Sequence, residues 1–564
     1  MRHFIYAALA VIAGLLFSQM PTAQATGAQP QQPAATTTTQ AGAQPPASSG
    51  VYTTFVGEQP FGTETYNITT QADGSRRSVA DTSFAGARLK VTTTFVQNRP
   101  VSFELESGGV RSLVAEFTAQ GVRLTAQGQA AREVKANPAA LLENGVWHYF
   151  IFLLAQYDAT RGGAQSFNAL LVTQALPFDI TVTRLATPSF DVNGQRVATE
   201  HYRAATSLGV AFEMWTDAAR VPLVVSVPAQ RVKTVRQGAE ALAAVILPPP
   251  APAAKPSAAD PYTSEEVTFQ NGEQRLAGTL TIPKGGAGAH PAALLITGSG
   301  PQDRDGSVIF DIYRRMAERL SAAGVAVLRV DDRGSGKSSI PTKPTSYRDL
   351  VADTRAAFEF LLTRREIDPR RIALIGHSEG AQTALVLGAE DARIAAIGLL
   401  AGASRPLDRV LVEQSLYAVA LNTTADPADT TKFNQAAQQL IKLFDDVRAA
   451  PSAADPSRDN YAWFREHMAS DPLALARRVR VPLIVLNGER DTNVLPYHAL
   501  ELAQAAASAG NRQVTLRVFP NLTHIFTPSQ IDKSVTDKQA TEVSDEFLQT
   551  LERWAASVLV RGGK

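Results

Sequence analysis

Apolar and polar residues follow two different periods in the two halves of the chain. Between about 51 and 247 they alternate one by one in short runs, for example in Val101–Leu105 and Phe178–Val182. A period of two is typical of β-strands with one buried face. Asp73-Gly74 and Asn193-Gly194 carry the turn chemistry of hairpins between such strands. The pattern predicts a β-rich N-terminal domain over residues 51–247, built on an antiparallel sheet.

The second half, from about 263 to 564, alternates short β-rich runs with helical patterns such as Ile312–Ala322 and Leu350–Leu362. Strands separated by helices at this spacing predict βαβ units and a mostly parallel sheet, hence an α/β domain. Its predicted strands are Ala292–Thr297, Val325–Val330, Ile372–Ile375, Ile394–Leu400, Pro482–Leu486 and Val514–Phe519. Ahead of them, the runs on either side of Asn271-Gly272 predict an antiparallel hairpin.

Two segments outside these halves lack any apolar period. Residues 26–50 are mostly Ala, Gln, Thr, Pro and Gly, a composition that buries too little surface to offset the entropy of ordering. Residues 248–262 are rich in Pro and Ala, which is typical of a semi-rigid, extended linker. The first segment is predicted to be a disordered tether and the second a linker between two folded domains.

Residues 1–25 have the pattern of an export signal. Arg2 and His3 give a short basic start, Phe4–Phe17 is almost wholly apolar, and Ala23-Gln24-Ala25 fits a small-x-small cleavage site. A membrane anchor is the alternative, but the apolar run is shorter than the roughly 18 residues of a spanning helix, a length that no other segment offers. We expect export to the periplasm or the medium, with cleavage near Ala25 and no membrane span in the mature protein.

The composition argues against a nucleic-acid partner and against cysteine or metal chemistry. Among the 564 residues, Lys and Arg number 54 and Asp and Glu number 53, so no bulk charge attracts nucleic acid. The chain has no cysteine, which excludes disulfides, a cysteine nucleophile and thiolate metal ligands. No cluster of histidines and carboxylates has the spacing of metal ligands. We expect neither a nucleic-acid partner nor a metal.

One motif supplies a candidate nucleophile. Residues 376–380, Gly-His-Ser-Glu-Gly, are a G-x-S-x-G sequence that follows the buried run Ile372–Ile375 and precedes the helical run Ala381–Leu387. A serine on a sharp strand-to-helix turn stands above the edge of the sheet, and glycines permit that turn. The motif alone is weak, but this context predicts Ser378 as the nucleophile, with Gly376 and Gly380 as the glycines of its turn.

A serine hydroxyl needs a base that takes its proton. Three histidines follow Ser378 in the chain, namely His467, His498 and His524. His524 comes directly after the last predicted strand, and loops at strand ends host the chemistry of such sheets. His467 lies in a predicted insertion and His498 in a helix. His524 is therefore the predicted base, with an exposed loop histidine as the alternative.

The base in turn needs an acid that orients it. Asp491 lies in the loop that follows the predicted strand Pro482–Leu486, ahead of a helix. Glu489 lies in the same loop but nearer the strand, whereas Asp471 precedes the strand and is expected at the opposite edge of the sheet. A helix cap or turn role is the alternative for Asp491. Asp491 is the predicted acid.

Two further loops give the second half a family resemblance. Leu295–Gly306, which reads LITGSGPQDRDG, is similar to the signature after the third strand in bacterial α/β-hydrolase esterases. Val330–Ser338 resembles the D-x-R-G-x-G-x-S loop of the same superfamily. With Ser378, Asp491 and His524 in this order, residues 263–564 resemble a secreted bacterial serine esterase of the α/β-hydrolase superfamily. The resemblance does not cover the N-terminal domain.

The resemblance implies an α/β-hydrolase fold, in which a mostly parallel sheet carries helices on both faces. A helical, charged stretch at about 403–476, between two predicted strands, is predicted to form a cap over the nucleophile. It also implies an oxyanion hole made by the backbone amide of Glu379 and that of Ser299 or Gly300. Many family members have His-Gly where this chain has Thr297-Gly298, so the second donor stays open between the two neighbours.

Several other residues receive structural interpretations. Asp303, Arg304 and Asp305 are predicted to brace their loop through ion pairs. Gly336-Lys337-Ser338 resembles the end of a phosphate-binding loop, but Asp331 stands where that motif needs glycine, so nucleotide binding is not expected. Apolar residues of the insertion are predicted to line the underside of the cap or to form its own core: Leu411, Leu416, Leu440, Leu443 and Phe444.

The predicted function is a serine hydrolase that cleaves small-molecule carboxylic esters through an acyl-enzyme intermediate, without a cofactor. Two alternatives stay open. An exported serine peptidase or aminopeptidase would use the same residues on amides. A non-catalytic binding protein of the cell envelope would use the β-rich domain beside a degenerate hydrolase fold, and the presence of Ser378, Asp491 and His524 argues against it.

Overall fold

The computed structural model describes residues 49–560 apart from 57–58, 85–86, 108, 127–130, 174, 208–209, 229–231, 249–259, 286–287, 344, 423–433, 435–436, 439–440, 442–443, 446, 450–460, 530–538 and 540–541. The predicted signal peptide, the predicted tether up to residue 48 and most of the predicted linker lie outside these residues. The first strand begins at Ser49, two residues before the predicted start of the N-terminal domain at residue 51. The chain divides into two compact units between Pro250 and Ala251.

Strands make up most of the N-terminal unit. They are β1 (Ser49–Val56), β2 (Gln59–Thr70), β3 (Arg76–Phe84), β4 (Ala87–Val96), β5 (Arg99–Ser107), β6 (Val110–Thr118), β7 (Gly121–Ala126), β8 (Arg132–Val134), β9 (Ala140–Leu142), β10 (Ala164–Leu171), β11 (Leu176–Ala186), β12 (Ser189–Val192), β13 (Gln195–Ala198), β14 (Glu200–Thr206), β15 (Ala211–Thr216), β16 (Pro222–Val227) and β17 (Val232–Arg236). One sheet of 15 strands has the order β8-β7-β6-β5-β4-β3-β2-β1-β17-β16-β15-β14-β11-β10-β9, and β12 pairs with β13 separately. Adjacent strands of the 15-stranded sheet pair antiparallel, except β9 and β10, which pair parallel. The predicted β-rich region is confirmed.

A short apolar helix, α1 (Tyr149–Gln156), supplies core residues to this unit. Its side chains from Tyr149 to Leu154 are buried, and Phe95 of β4 stacks on Phe152 with ring centroids 3.6 Å apart. An isolated helix of this length is unstable in water, so its packing among the strands must stabilise it. Trp147 and His148 precede it and are also buried. A second helix, α2 (Glu240–Ile246), follows β17.

The sheet of the C-terminal unit has eight strands, which are β18 (Tyr262–Asn271), β19 (Gln274–Pro283), β20 (His290–Ile296), β21 (Ala326–Val330), β22 (Ile367–His377), β23 (Ala396–Leu400), β24 (Leu483–Gly488) and β25 (Val514–Phe519). Their order is β18-β19-β21-β20-β22-β23-β24-β25. β18, β19 and β21 pair antiparallel, and the remaining pairs are parallel. The predicted hairpin and the six predicted strands are all present.

Eight α-helices belong to the described part of this unit, namely α3 (Ile312–Ala322), α4 (Tyr347–Leu362), α5 (Glu379–Glu390), α6 (Leu407–Asn422), α7 (Tyr461–Met468), α8 (Pro472–Ala476), α9 (Tyr497–Ser508) and α10 (Asp545–Ala555). A 3-10 turn at Ser307–Ile309 precedes α3 and a π turn at Ala556–Val560 follows α10. α4 begins before its apolar pattern because Ser346 and Asp349 form a capping box. No helix within the described residues is long and apolar enough to cross a membrane.

α6, α7 and α8 lie in the segment predicted as a cap, between β23 and β24. Phe444 is buried there, and Leu411 is partly exposed. Leu440 and Leu443 lie outside the described residues.

The parallel strands position the candidate chemistry. β20, β22, β23 and β24 contribute buried Ile, Leu, Val and Ala residues to one core with α4, α5 and α9. Parallel strands run in one direction, so the residues that follow β20, β22, β24 and β25 meet at the same edge of the sheet. The predicted nucleophile, acid, base and oxyanion loop all follow these strands.

Candidate active site

Ser378 joins β22 directly to α5 in a strained turn. Its φ of 56° and ψ of −116° are unusual for a residue with a side chain. The backbone amide of Ser378 donates to the carbonyl oxygen of Leu400 at 2.8 Å, which anchors the turn to the end of β23. A sharp, anchored strand-to-helix turn of this kind is how α/β hydrolases present a nucleophile.

The glycines of the motif are required by close backbone contacts. A Cβ atom at Gly376 would lie 2.0 Å from the carbonyl oxygen of Gly380, and one at Gly380 would lie 2.4 Å from that of Thr297. Neither position can hold a side chain unless the strand, the helix and the neighbouring loop move apart. The predicted roles of both glycines therefore have a steric basis.

Asp491 and His524 meet across two loops. Nδ1 of His524 lies 2.8 Å from Oδ2 of Asp491, and the Asp491 residue is only 2% exposed. Oδ1 of Asp491 accepts hydrogen bonds of 2.8 Å from the backbone amides of Asn493 and Val494. Because both oxygens have donors, the carboxylate is fixed, and it fixes the ring of His524 in turn.

Close packing holds the two loops together. A Cβ atom at Gly488 would lie 2.3 Å from the carbonyl oxygen of Leu522. The amide of Arg490 donates to the same carbonyl at 2.8 Å. Gly488 is thus a further residue on which the Asp491–His524 contact depends. Sequence reasoning missed it, since a glycine at a strand end reads as an ordinary turn residue.

His377 links the nucleophile turn to the base. Its Nε2 donates to the backbone carbonyl of His524 at 3.0 Å, and the two ring centroids are 4.9 Å apart. Burial lowers the pKa of His377 to about 3, with the neighbouring His524 acting in the same direction, so the ring is neutral. The Ser378 hydroxyl itself makes no hydrogen bond to His524 among the described contacts, and such bonds often tighten only when substrate binds.

The competing residues take other positions. His467 packs its ring on Tyr347, with centroids 4.4 Å apart, and His498 bonds to Ser404 and Glu413. Glu489 accepts from the backbone amide of Asn521. Asp471 caps the N-terminus of α8. None of these four has a described contact with the imidazole of His524.

The predicted oxyanion loop, residues 297–302, lies against Ser378. A Cβ atom at Gly298 would be 3.3 Å from that of Ser378. The amide of Gly298 is already used, because it donates to the hydroxyl of Tyr313 at 3.0 Å. The amides of Ser299 and Gly300 have no partner among the described hydrogen bonds. Both therefore stay candidates for the second donor, beside Glu379 at the start of α5, where helix amides are unpaired.

Ion pairs of Arg304 and Asp305 brace the segment that follows this loop, as predicted, whereas Asp303 accepts hydrogen bonds from Ser307 instead. Arg304 donates to Asp331 from two nitrogen atoms, at 3.0 and 2.6 Å, and Arg329 pairs with Asp305. Gly336 lies directly over Asp331, since a Cβ atom there would be 2.3 Å from its carboxyl carbon. The loop that resembles a phosphate-binding sequence thus surrounds a buried carboxylate.

Glu379 connects the nucleophile turn to α7. Its Oε1 accepts from the indole nitrogen of Trp463 at 3.2 Å. The residue is 7% exposed, and this burial raises the pKa of its carboxyl group, while the hydroxyl of Ser299 acts in the opposite direction. The side chain of Glu379 was not singled out from the sequence, which indicated only its backbone amide.

The N-terminal unit contains a Ser–His–Glu arrangement that the sequence did not reveal. Nε2 of His148 lies 2.5 Å from Oγ of Ser78, and its Nδ1 lies 2.5 Å from Oε1 of Glu64. The side chains of His148 and Glu64 are at most 1% exposed. Since no substrate reaches such a position, this network belongs to the core. The residues are far apart in sequence and carry no local motif.

The C-terminal unit is similar to known hydrolases. A family model described as serine aminopeptidase, S33, matches residues 310–527. Esterase EstD of Thermotoga maritima is 28% identical over 304 residues, which cover 50% of this chain and 69% of that protein. A thiohydrolase of Arthrinium phaeospermum is 34% identical over 84 residues, 15% of this chain and 27% of that protein.

Two solved structures are also similar to this chain, and one of them is an esterase. One from Pyrococcus furiosus has a TM-score of 0.36 and 19% identity, covering 55% of this chain and 97% of that one. Est1E from Butyrivibrio proteoclasticus, bound to ferulic acid, has a TM-score of 0.35 and 15% identity, covering 52% of this chain and 98% of that one. The family model and the EstD relative confirm the resemblance to α/β-hydrolase serine esterases.

Proposed function

We propose that this chain, whose C-terminal unit is an esterase-type α/β hydrolase, cleaves carboxylic esters of small molecules by acyl transfer to Ser378. The observation that carries the proposal is the contact of 2.8 Å between Nδ1 of His524 and Oδ2 of the buried Asp491. This contact leaves Nε2 of His524 available as a base, at the edge of the sheet where Ser378 stands.

In this mechanism each residue has one role. Ser378 attacks the ester carbonyl, and its hydroxyl proton passes to Nε2 of His524. Asp491 holds the imidazole in the required tautomer and stabilises its charged form. His524 then returns the proton to the leaving alcohol. A water molecule, activated by the same histidine, hydrolyses the acyl-enzyme and regenerates the Ser378 hydroxyl.

The tetrahedral intermediates carry a negative oxygen. We assign its stabilisation to the backbone amide of Glu379 and to that of Ser299 or Gly300. Two preorganised donors in a site that excludes water act more strongly than water does, because they need no reorganisation during the reaction. The mechanism uses no metal or organic cofactor.

We further propose that α6 to α8 cap the site. The contact between Trp463 of α7 and Glu379, the residue after the nucleophile, supports this role. A cap restricts which acyl and alcohol groups reach Ser378. Export to the periplasm or the medium, through cleavage near Ala25, also remains our proposal.

An aminopeptidase activity is the second candidate, because the matching family model carries that description. Amide hydrolysis would use the same residues but has to expel a poorer leaving group. The two candidates differ in the ratio of kcat/KM for an ester and for the amide of the same acyl group. We expect that ratio to favour the ester.

The test is hydrolysis of p-nitrophenyl esters from acetate to octanoate by protein lacking residues 1–25. Ser378→Ala serves as the nucleophile variant, and Ser508→Ala, at the far end of α9, as the matched control. We expect turnover by the parent and the control but not by Ser378→Ala. Equal turnover by Ser378→Ala would rule out Ser378 as the nucleophile, and faster cleavage of alanine p-nitroanilide than of any ester would favour the peptidase.

A further inference from the structure

The oxyanion loop is attached at both ends to a single carboxyl group. Oδ1 of Asp332 accepts from the hydroxyl of Thr297 at 2.6 Å. Oδ2 accepts from the backbone amide of Gln302 at 2.9 Å, and the amide of Asp332 donates to the carbonyl oxygen of Gln302 at 3.0 Å. Residues 298–301, which include both candidates for the second donor, lie between these two attachments.

The loop also has an internal brace, which does not replace Asp332. The hydroxyl of Tyr313 accepts from the amide of Gly298 at 3.0 Å. The side-chain amide of Gln302 donates to the carbonyl oxygen of Ser299 at 3.2 Å. These contacts tie the middle of the loop to α3 and to its own end. Among the described residues, only Asp332, two residues after β21, has hydrogen bonds both to Thr297 and to the backbone of Gln302.

In both contacts an oxygen of Asp332 accepts, as an ionised carboxyl group allows. A carboxylate offers acceptor sites on both oxygens, whereas an amide offers one acceptor oxygen and one donor nitrogen. A backbone amide can only donate, so the Gln302 contact cannot be reversed. Hydrogen bonds to a charged acceptor are roughly twice as strong as those between neutral groups, and a loop held by two of them loses little of its geometry to thermal motion.

We propose that Asp332 is a positioning residue of the oxyanion hole, which fixes both ends of residues 297–302 and so aims the Ser299 or Gly300 amide at the developing oxyanion. Asp332 touches neither substrate nor nucleophile in this role. It acts through the loop, on a stabilisation that exists only once the carbonyl oxygen carries charge. Its loss should therefore lower kcat and leave KM almost unchanged.

The inference rests on the proposed esterase function and is tested with the same p-nitrophenyl esters. In Asp332→Asn the side chain keeps its size, but only one oxygen can accept. Above pH 8, where the Asp332 carboxyl group is ionised, we expect kcat to fall roughly 10- to 100-fold, less than the roughly 100- to 1,000-fold loss that follows removal of a whole oxyanion donor. The inhibition constant of butylboronic acid, whose tetrahedral adduct with Ser378 presents an oxygen to the same hole, should rise by a similar factor. Altered stability alone would not move these two values together.

Burial raises the pKa of Asp332 to about 8, with nearby Glu379 of α5 and Asp331 of the same loop acting in the same direction. The hydroxyl of Thr297 and the amide of Gln302 oppose this shift. Tyr313 of α3 also faces Asp332. Because the ionised form holds the loop, kcat of the parent relative to Asp332→Asn should increase as the pH rises through about 8.

Two further variants make every outcome informative. Thr297→Val removes one donor to Asp332 but keeps the side-chain shape. It tests the positioning role if Asp332→Asn does not fold. Asp368→Asn, at the opposite end of β22, is the matched control and should retain parental kcat. The proposed function fails if the parent does not hydrolyse esters. The positioning role alone is overturned if the parent is active while Asp332→Asn, or Thr297→Val in its place, retains parental kcat and boronic acid affinity.

Discussion

Asp491 illustrates how one residue serves two loops. Its Oδ1 satisfies the amides of Asn493 and Val494, and its Oδ2 faces His524. The first contacts are those of an ordinary turn residue, which was the alternative interpretation of Asp491. The structure combines the two roles, since the turn contacts hold the carboxylate rigid while it orients the histidine.

Asp491→Asn is expected to separate these roles. The amide oxygen can still accept from the turn amides, but the NH2 group would then face His524 and favour the wrong tautomer. We expect kcat to fall by roughly four orders of magnitude with KM within a few-fold of the parent, measured on p-nitrophenyl butyrate. Asp471→Asn, which changes a helix cap, is the control for activity. A loss below tenfold in Asp491→Asn would contradict the assignment.

Two buried histidines make stability depend on pH. Burial lowers the pKa of His377 to about 3 and that of His467 to about 4, while the unfolded chain titrates near 6.5. Below pH 6.5 the unfolded state therefore takes up protons that the folded state does not. Stability is fully present above about 6.5 and is lost as the pH falls, by about 1.4 kcal/mol per pH unit and per histidine.

His467→Phe is expected to reduce this dependence. The ring packs on Tyr347 and on Trp463, with centroids 4.4 and 5.2 Å away, and its Nδ1 has no described partner, so phenylalanine fits the same contacts. Urea unfolding at pH 7 and at pH 5 measures the effect. The difference in unfolding free energy between the two pH values should shrink by roughly 2 kcal/mol. An unchanged difference would mean that His467 is charged or exposed in the folded protein.

Among the elements, those with a strong local signal were predictable. β20 to β25 and α3 were visible as apolar runs and as a helical period, because local pattern and burial agree there. The start of α4 was misplaced, because Ser346 caps it from outside the apolar pattern. The Ser378 turn was predictable from its glycines. The contributions of Asp332, Gly488 and His377 were not, since each acts on a residue distant in sequence.

The link between α5 and α7 predicts how the proposed cap affects substrate choice. Trp463→Phe removes the indole donor to Glu379 but keeps an aromatic ring beside His467. We expect KM for p-nitrophenyl octanoate to change a few-fold while kcat/KM for the acetate, which needs little space under a cap, stays within a factor of two. Equal effects on both esters would argue that α7 does not lie over the acyl group.

For the whole molecule, the fold of the C-terminal unit was more predictable from the sequence than that of the N-terminal unit. The C-terminal unit follows a family pattern, so a few motifs indicated its fold and its candidate residues. The N-terminal unit offered only a period of two, which predicts strands but not the order of 15 of them. Pairings such as β1 with β17 join residues about 180 positions apart, and no local signal encodes them.

Because the chain divides into two units, we expect a destabilising substitution in one unit to leave the stability of the other unchanged. Glu64 accepts from the backbone amides of Trp147 and His148 and contacts the His148 ring, all within the N-terminal core. In Glu64→Gln only one of the two terminal side-chain atoms can still accept a hydrogen bond, and leaving a buried donor unsatisfied costs about 1–3 kcal/mol. Calorimetry should show one of two transitions moving to lower temperature, while ester hydrolysis at 25 °C keeps its parental kcat. If hydrolysis is instead lost in parallel with the first transition, the N-terminal unit is required for the active conformation of Ser378, Asp491 and His524, and the two units fold as one.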